Sequence, residues 1–89
     1  MKIGIIGAGA MGSGIAQVAS QAGHEVILTD LSQDVLNASK SKLAKIMNRL
    51  VEKEKITCDE AQNIQSRIIR STSLKDIKDC SLVIEAVVE

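Results

Sequence analysis

Four short apolar runs punctuate the chain, and between them apolar residues recur at helical spacing. Residues 3–6 are Ile-Gly-Ile-Ile and end at Gly7, the pattern of a strand buried on both faces. Small residues follow, with Met11, Ile15, Val18 and Ala22 on one helical face and Gly23 where a helix C-cap glycine belongs. A second strand is predicted over 24–30. Ser32 then caps a long helix predicted over 33–54, with Asp34 in its first turn and Leu36, Leu43, Ile46, Met47, Leu50 and Val51 along one side. Lys55-Ile56 interrupts that pattern. Thr57-Cys58-Asp59-Glu60 is a capping box that opens a second, shorter helix to about residue 66, with Ala61 and Ile64 turned inward. Strands are predicted again over 67–71 and 81–88, with a turn or short helix over 74–78 between them. Strands that alternate with helices and are continuously apolar specify a parallel sheet covered by helices. The two helices over 33–66 form a hairpin inserted after the second strand. The chain stops directly after an apolar strand, without a closing helix, an ending that reads as a cut.

Composition adds mostly exclusions. A chain of 89 residues, 45% apolar and 25% charged, is one globular domain or less, and neither disordered nor fibrous. It contains no aromatic residue, which excludes a stacking platform for single-stranded nucleic acid. Eleven basic and eleven acidic residues cancel, so no overall field draws nucleic acid or an anionic membrane. No leader segment precedes the first strand and no apolar run nears the roughly 18 residues that span a bilayer, so a cytoplasmic location is expected. Cys58 and Cys80 are too few and too far apart for a disulfide framework or a zinc site; reduced, structural thiols and no metal are expected. The charge is nonetheless uneven. Lys42, Lys45, Arg49 and Lys53 are spaced by three, four and four and line one face of the long helix. Such a row suits phosphates, although a charge run is commonly no more than a solvated face.

The strongest chemical signal is Gly7-x-Gly9-x-x-Gly12, placed between a strand and a helix. In that setting Gly7 permits the turn out of the strand, Gly9 lets backbone approach a pyrophosphate, and Gly12 lets the helix lie close to the sheet. The helix N-terminus adds free N–H groups and the positive end of its dipole. Asp30 lies 18 residues beyond Gly12 at the end of the second strand. A carboxylate there accepts from ribose hydroxyls and repels a 2′-phosphate, and Leu31-Ser32 offers no cation to receive one; NAD is expected over NADP. His24 sits in the turn that enters the second strand, at the wrong edge of the sheet for a catalytic base, and a role in that turn is expected. Glu85 and Glu89 fall near the cofactor edge.

The blocks Gly7-Ala8-Gly9-Ala10-Met11-Gly12-Ser13-Gly14-Ile15-Ala16-Gln17, Gly23-His24-Glu25-Val26 to Asp30, and Asp79-Cys80-Ser81-Leu82-Val83-Ile84-Glu85-Ala86-Val87-Val88-Glu89 together resemble the start of the 3-hydroxyacyl-CoA dehydrogenase family, the 3-hydroxybutyryl-CoA type most of all. The resemblance runs the length of the chain and implies a Rossmann-type doubly wound parallel sheet, truncated, with residues 1–89 as the N-terminal part of the NAD-binding domain. It implies NAD-dependent interconversion of 3-hydroxyacyl-CoA and 3-ketoacyl-CoA, in fatty acid and butanoate metabolism. Gly7, Ala8, Gly9, Ala10, Met11 and Gly12 would hold the pyrophosphate, Asp30 the adenosine ribose, and Ala86 and Glu89 the nicotinamide side. The hairpin would contact coenzyme A through Lys53 and Arg49; Ile46 stands where the family often has a serine. The family's catalytic His–Glu pair and its dimerising helical domain would follow Glu89, so no catalytic residue is expected here. The full-length protein would be a homodimer, and this portion alone would bind dinucleotide weakly and turn nothing over. Two other readings are a different NAD(P)-dependent dehydrogenase, of 3-hydroxyacid or 6-phosphogluconate type, and a non-enzymatic nucleotide-binding module.

Overall fold

The computed structural model describes residues 1–86. Its elements run β1 (Lys2–Ile6), α1 (Ala10–Gln21), β2 (Glu25–Thr29), α2 (Gln33–Glu52), α3 (Cys58–Ser66), β3 (Ile68–Ser71), a 3-10 turn (Leu74–Ile77) and β4 (Leu82–Glu85). The four strands pair in parallel in the order β3-β2-β1-β4. That order matches the first four strands of the Rossmann order 3-2-1-4-5-6, with the change of winding direction between β1 and β4.

Register explains where the core forms. Ile3 lies beside Val26 and Ile5 beside Leu28, and Ile68 extends the first of these rows. Side chains alternate between the faces of a strand, so these five make one apolar floor. Ala16 and Ala19 of α1, Leu36, Leu43 and Met47 of α2, and Ala61 and Ile64 of α3 pack onto it. The 3-10 turn covers part of the other face, with Ile77 over Gly4, and leaves Ile69 and Val83 of that face about half exposed.

The helix faces depart from expectation in one instructive way. α1 buries Gly12, Ala16, Ala19 and Ser20, while Met11 is 57% and Val18 67% exposed. Met11 and Val18 therefore point away from the described core, while Ile15 of the same stripe is partly buried against it. Close approach of α1 to the sheet selects small residues for the packed side.

Boundaries shift for local reasons. α2 ends at Glu52 rather than at 54, because Glu54 adopts a left-handed conformation (φ 56°) and Lys55 N–H bonds back to the Leu50 carbonyl at 2.9 Å. Of the predicted capping box the threonine half forms, with Glu60 N–H donating to Thr57 Oγ1 at 3.1 Å, while the Glu60 carboxylate accepts from the Thr57 hydroxyl at 3.3 Å in place of its backbone N–H. Arg67 caps α3, so β3 starts one residue later than predicted. The same arginine fastens the hairpin to α1, donating from Nη1 to the Ser20 carbonyl at 2.8 Å, while the Ser20 hydroxyl donates to the Ile64 carbonyl. β4 departs from its reading as well. Its apolar run suggested burial on both faces, yet Leu82 and Val83 are each 47% exposed, because among the described residues only β1 borders it. Cys58 is a further correction: it opens α3 at the surface and is not a buried structural thiol; Cys80 is half-buried, and both are free. Among the described residues no helix is long and apolar enough to cross a membrane.

Candidate functional site: a cleft at the strand ends

The carboxyl ends of β1 and β2 and the loops that leave them enclose a cleft of about 390 Å³, the size range of small-molecule sites. The glycine segment forms its floor. Gly7 has φ +104°, a left-handed conformation that L side chains rarely adopt, and this bend turns the chain out of β1 into the helix. Its N–H still pairs with the Thr29 carbonyl at 2.8 Å, so the sheet runs unbroken to the turn. A Cβ on Gly12 would lie 1.7 Å from the Gly7 carbonyl oxygen, so α1 reaches this closeness only with glycine there. A Cβ on Gly9 would meet nothing within 4 Å. Gly9 is thus open toward solvent, where backbone can be approached.

Gly9 is also the N-cap of α1, and no side chain caps that end and no acidic residue sits in the first turn. The first N–H groups of the helix, from Ala10, Met11 and Gly12, therefore keep their capacity to donate to an anion. Ser13 is anchored instead: its hydroxyl donates to the Ala8 carbonyl at 3.0 Å and lies 2.8 Å from the Ser39 hydroxyl of α2. That pair joins the glycine turn to the long helix.

Asp30 is the electrostatic centre. Its Oδ2 accepts from Ala8 N–H at 3.0 Å and its Oδ1 from Ser32 N–H at 2.9 Å. One carboxylate thus ties the glycine turn to the start of α2, and each oxygen keeps a further lone pair for a ligand hydroxyl. Donation from Ala8 N–H, then from Ser32 and Leu31, holds the carboxyl below the usual aspartate range against the opposing effect of its partial burial. Asp30 is ionised at neutral pH with acceptors only, suited to ribose hydroxyls and hostile to a phosphate.

The structure gathers most of the sequence-predicted residues. Gly7, Gly9, Asp30 and Ala86 line this one cleft, and Ala86 is held there by its N–H on the Ile6 carbonyl at 2.8 Å. Ala10 and Met11 form the exposed first turn beside it. Glu89 lies outside the described residues. Arg49 and Lys53 are exposed in the last turn and at the cap of α2. Of the basic stripe, only Lys42 comes near the glycine segment, where it shares a side cleft with Gly9, Ala10 and Ser39. At ~1.5 Å per residue, Lys53 lies ~16 Å farther along the helix axis.

Leu31, Val35, Thr72 and Leu74 also line the cleft and were not singled out from the sequence. Leu31 carried a signal: a large apolar residue directly after the fingerprint aspartate, here 87% exposed at the cleft mouth. Thr72 and Leu74 follow β3, and the rule that ligands sit at carboxyl ends of parallel strands points to that loop.

Comparison with known proteins agrees with this geometry. Residues 2–89 match the family described as 3-hydroxyacyl-CoA dehydrogenase, NAD binding domain. A probable 3-hydroxybutyryl-CoA dehydrogenase of Deinococcus radiodurans is 47% identical over 89 residues, 100% of this chain and 32% of that protein. The 3-hydroxybutyryl-CoA dehydrogenase of Bradyrhizobium diazoefficiens is 43% identical over 88 residues, 99% of this chain and 30% of that protein. The crystal structure of (S)-3-hydroxybutyryl-CoA dehydrogenase from Ralstonia eutropha superposes with a TM-score of 0.94 at 39% identity, over 99% of this chain and 31% of that one. The chain spans about a third of the length of the curated relatives it matches.

Proposed function

The chain belongs to the 3-hydroxyacyl-CoA dehydrogenase family as its NAD-binding domain, and on that premise we propose that it is the dinucleotide-holding part of an enzyme interconverting 3-hydroxyacyl-CoA and 3-ketoacyl-CoA, with 3-hydroxybutyryl-CoA as substrate. One observation carries the reading. An uncapped helix N-terminus, a glycine turn open at Gly9 and an ionised Asp30 meet in a single cleft at the carboxyl ends of the strands. Phosphates need the first two, and ribose hydroxyls need the third.

These residues fit NAD, which when bound supplies the hydride acceptor or donor. In the proposal, the segment Gly7, Ala8, Gly9, Ala10, Met11 and Gly12 takes the pyrophosphate. Asp30 takes the adenosine ribose and sets the preference for NAD over NADP, and Leu31 covers the adenosine end. Ala86, with Glu89 beyond it, borders the nicotinamide end. Lys53 and Arg49 take phosphates of coenzyme A on the far part of α2. Residues 1–89 are the N-terminal part of the dinucleotide domain, and catalytic residues and the contacts of a homodimer belong to the rest of a full-length, cytoplasmic enzyme. Neither the other dehydrogenase types nor a stand-alone nucleotide module is favoured by the family match.

The test is a titration of NADH and NADPH into the protein, followed by the fluorescence of the nucleotide itself. The chain has no Trp or Tyr and adds almost no background. Saturable NADH binding, at least tenfold weaker for NADPH and at least tenfold weaker in Asp30→Ala, supports the proposal. Equal binding of the two nucleotides, or no effect of Asp30→Ala in a folded protein, overturns the role of this cleft.

A further inference from the structure

A second cleft, of about 360 Å³, lies between α2, the end of α3 and β3. It is lined by Gln33, Asn37, Lys40, Gln65, Ile68 and Arg70, and it shares no residue with the nucleotide cleft. The register makes Arg70 unusual. Ile5, Leu28 and Arg70 stand in one row across the sheet. Ile5 and Leu28 are fully buried, so the third position of an apolar row is a guanidinium. Its Nε is buried and has no hydrogen-bond partner among the described residues. Burial pushes the Arg70 pKa down, which marks a cation taken partly out of water without a counter-charge. Among the described residues no carboxylate lines the cleft. The second cation, Lys40, is on α2, two turns after Gln33 and in line with it and Asn37. Gln33 Nε2 already donates to Asn37 Oδ1 at 3.1 Å, so the amides are arranged as a set.

We propose that this cleft is a binding site for a phosphate monoester, held by Arg70 and Lys40 with the amides of Gln33, Asn37 and Gln65 completing its hydrogen bonds. A guanidinium offers the planar fork that matches phosphate oxygens, and an ammonium beside it adds a point charge. The ligand supplies the negative charge that the protein leaves out of the cleft. The site is separate from the dinucleotide cleft and from the Lys42–Lys53 stripe, so it stands whether or not those take the ligands proposed above.

The experiment is a titration of 15N-labelled protein with inorganic phosphate at constant ionic strength, with chloride as the control, reading the Arg70 Nε–H resonance. The expected result is a saturable shift with phosphate and none with chloride. Lys40→Gln, at an exposed position that threatens no packing, is expected to weaken binding about tenfold, the loss of one charge-assisted contact. Arg70→Lys is expected to weaken it less than Arg70→Gln, because charge is kept and the fork is lost. Adenosine 3′-phosphate and adenosine 2′-phosphate, each against adenosine, identify which ester is preferred. NADH affinity is expected to be the same in Lys40→Gln as in the parent. An inward charge that serves only to blunt the edge of the sheet would give no saturable shift and no effect of Lys40→Gln; either result overturns the proposal.

Discussion

Gly12 and Asp30 show how single residues set the cleft proposed for the dinucleotide. Gly12 is fixed by space alone: with a methyl group 1.7 Å from the Gly7 carbonyl, the turn and α1 must separate. Gly12→Ala is expected to cost about 3 kcal/mol, as overpacking of backbone against backbone, and to lower the unfolding midpoint measured by circular dichroism. Asp30 is fixed by charge. Two backbone N–H groups on its oxygens stabilise the ionised form, so its folded pKa lies below the unfolded value of ~3.9. The unfolded chain then binds the proton more tightly. The contribution of Asp30 to stability is whole above pH ~4 and disappears as pH falls through the lower, folded value. Unfolding measured by urea between pH 6 and 2.5 is expected to show this loss, and a shallower one in Asp30→Asn. The amide turns an N–H donor toward one of the two backbone donors, which costs about 1 kcal/mol at neutral pH because water replaces part of the lost bond. Both residues were legible in the sequence, since spacing and residue type define the fingerprint. The tie from Asp30 to Ala8 was not, because which donors a carboxylate finds in the absence of ligand depends on how the turn closes.

At the scale of elements, the sequence reads well where burial follows hydrophobicity and poorly where it follows space. α2 obeys its periodicity: Leu36, Leu43 and Met47 are buried as predicted, and Ser32 accepts from Val35 N–H at the cap. α1 follows it only in part: its fully packed positions are Gly12, Ala16, Ala19 and Ser20, Ile15 is partly buried against the core, and Met11 and Val18 face outward. β4 misleads for a different reason, since a continuous apolar run carries no record of how many neighbours a strand has. The contrast between the two helices predicts a contrast in stability. Met47→Ala empties a site that is 0% exposed and is expected to cost about 3 kcal/mol, a fall of about 12 °C or more in the thermal midpoint of a chain this size. Val18→Ser removes a similar apolar side chain from a position that is 67% exposed and is expected to change stability by less than about 0.5 kcal/mol. Equal effects at the two positions would mean that the outer face of α1 is covered in solution.

Over the whole molecule, zero net charge hides a division of labour between its faces. The proposed dinucleotide cleft has a largely apolar lining and draws its polar groups from backbone N–H and one carboxylate, whereas the exposed cations Lys42, Lys45, Arg49 and Lys53 run away from it along α2. Only the stripe was visible in the residue spacing; that it starts beside the glycine turn depended on the crossing of α2 over the sheet and on the Ser13–Ser39 pair that holds it there. The two surfaces therefore differ in what salt does to them. Fixed, short-range donors at a helix end and a turn lose little when salt is added, while exposed ammonium and guanidinium groups act through solvent, where the Debye length falls from ~10 Å at 0.1 M to ~3 Å at 1 M. If coenzyme A lies along the stripe, its affinity measured by calorimetry should fall steeply between these salt concentrations, and NADH affinity should fall much less. Arg49→Gln and Lys53→Gln should each weaken coenzyme A about two- to fivefold at low salt, the modest size of exposed charge pairs, and should have almost no effect at 1 M. Neither substitution should alter NADH binding, because both residues sit on the far stretch of α2. A coenzyme A affinity indifferent to salt and to both substitutions would reduce the stripe to a solvated helix face and move the acyl-CoA contacts elsewhere in the enzyme.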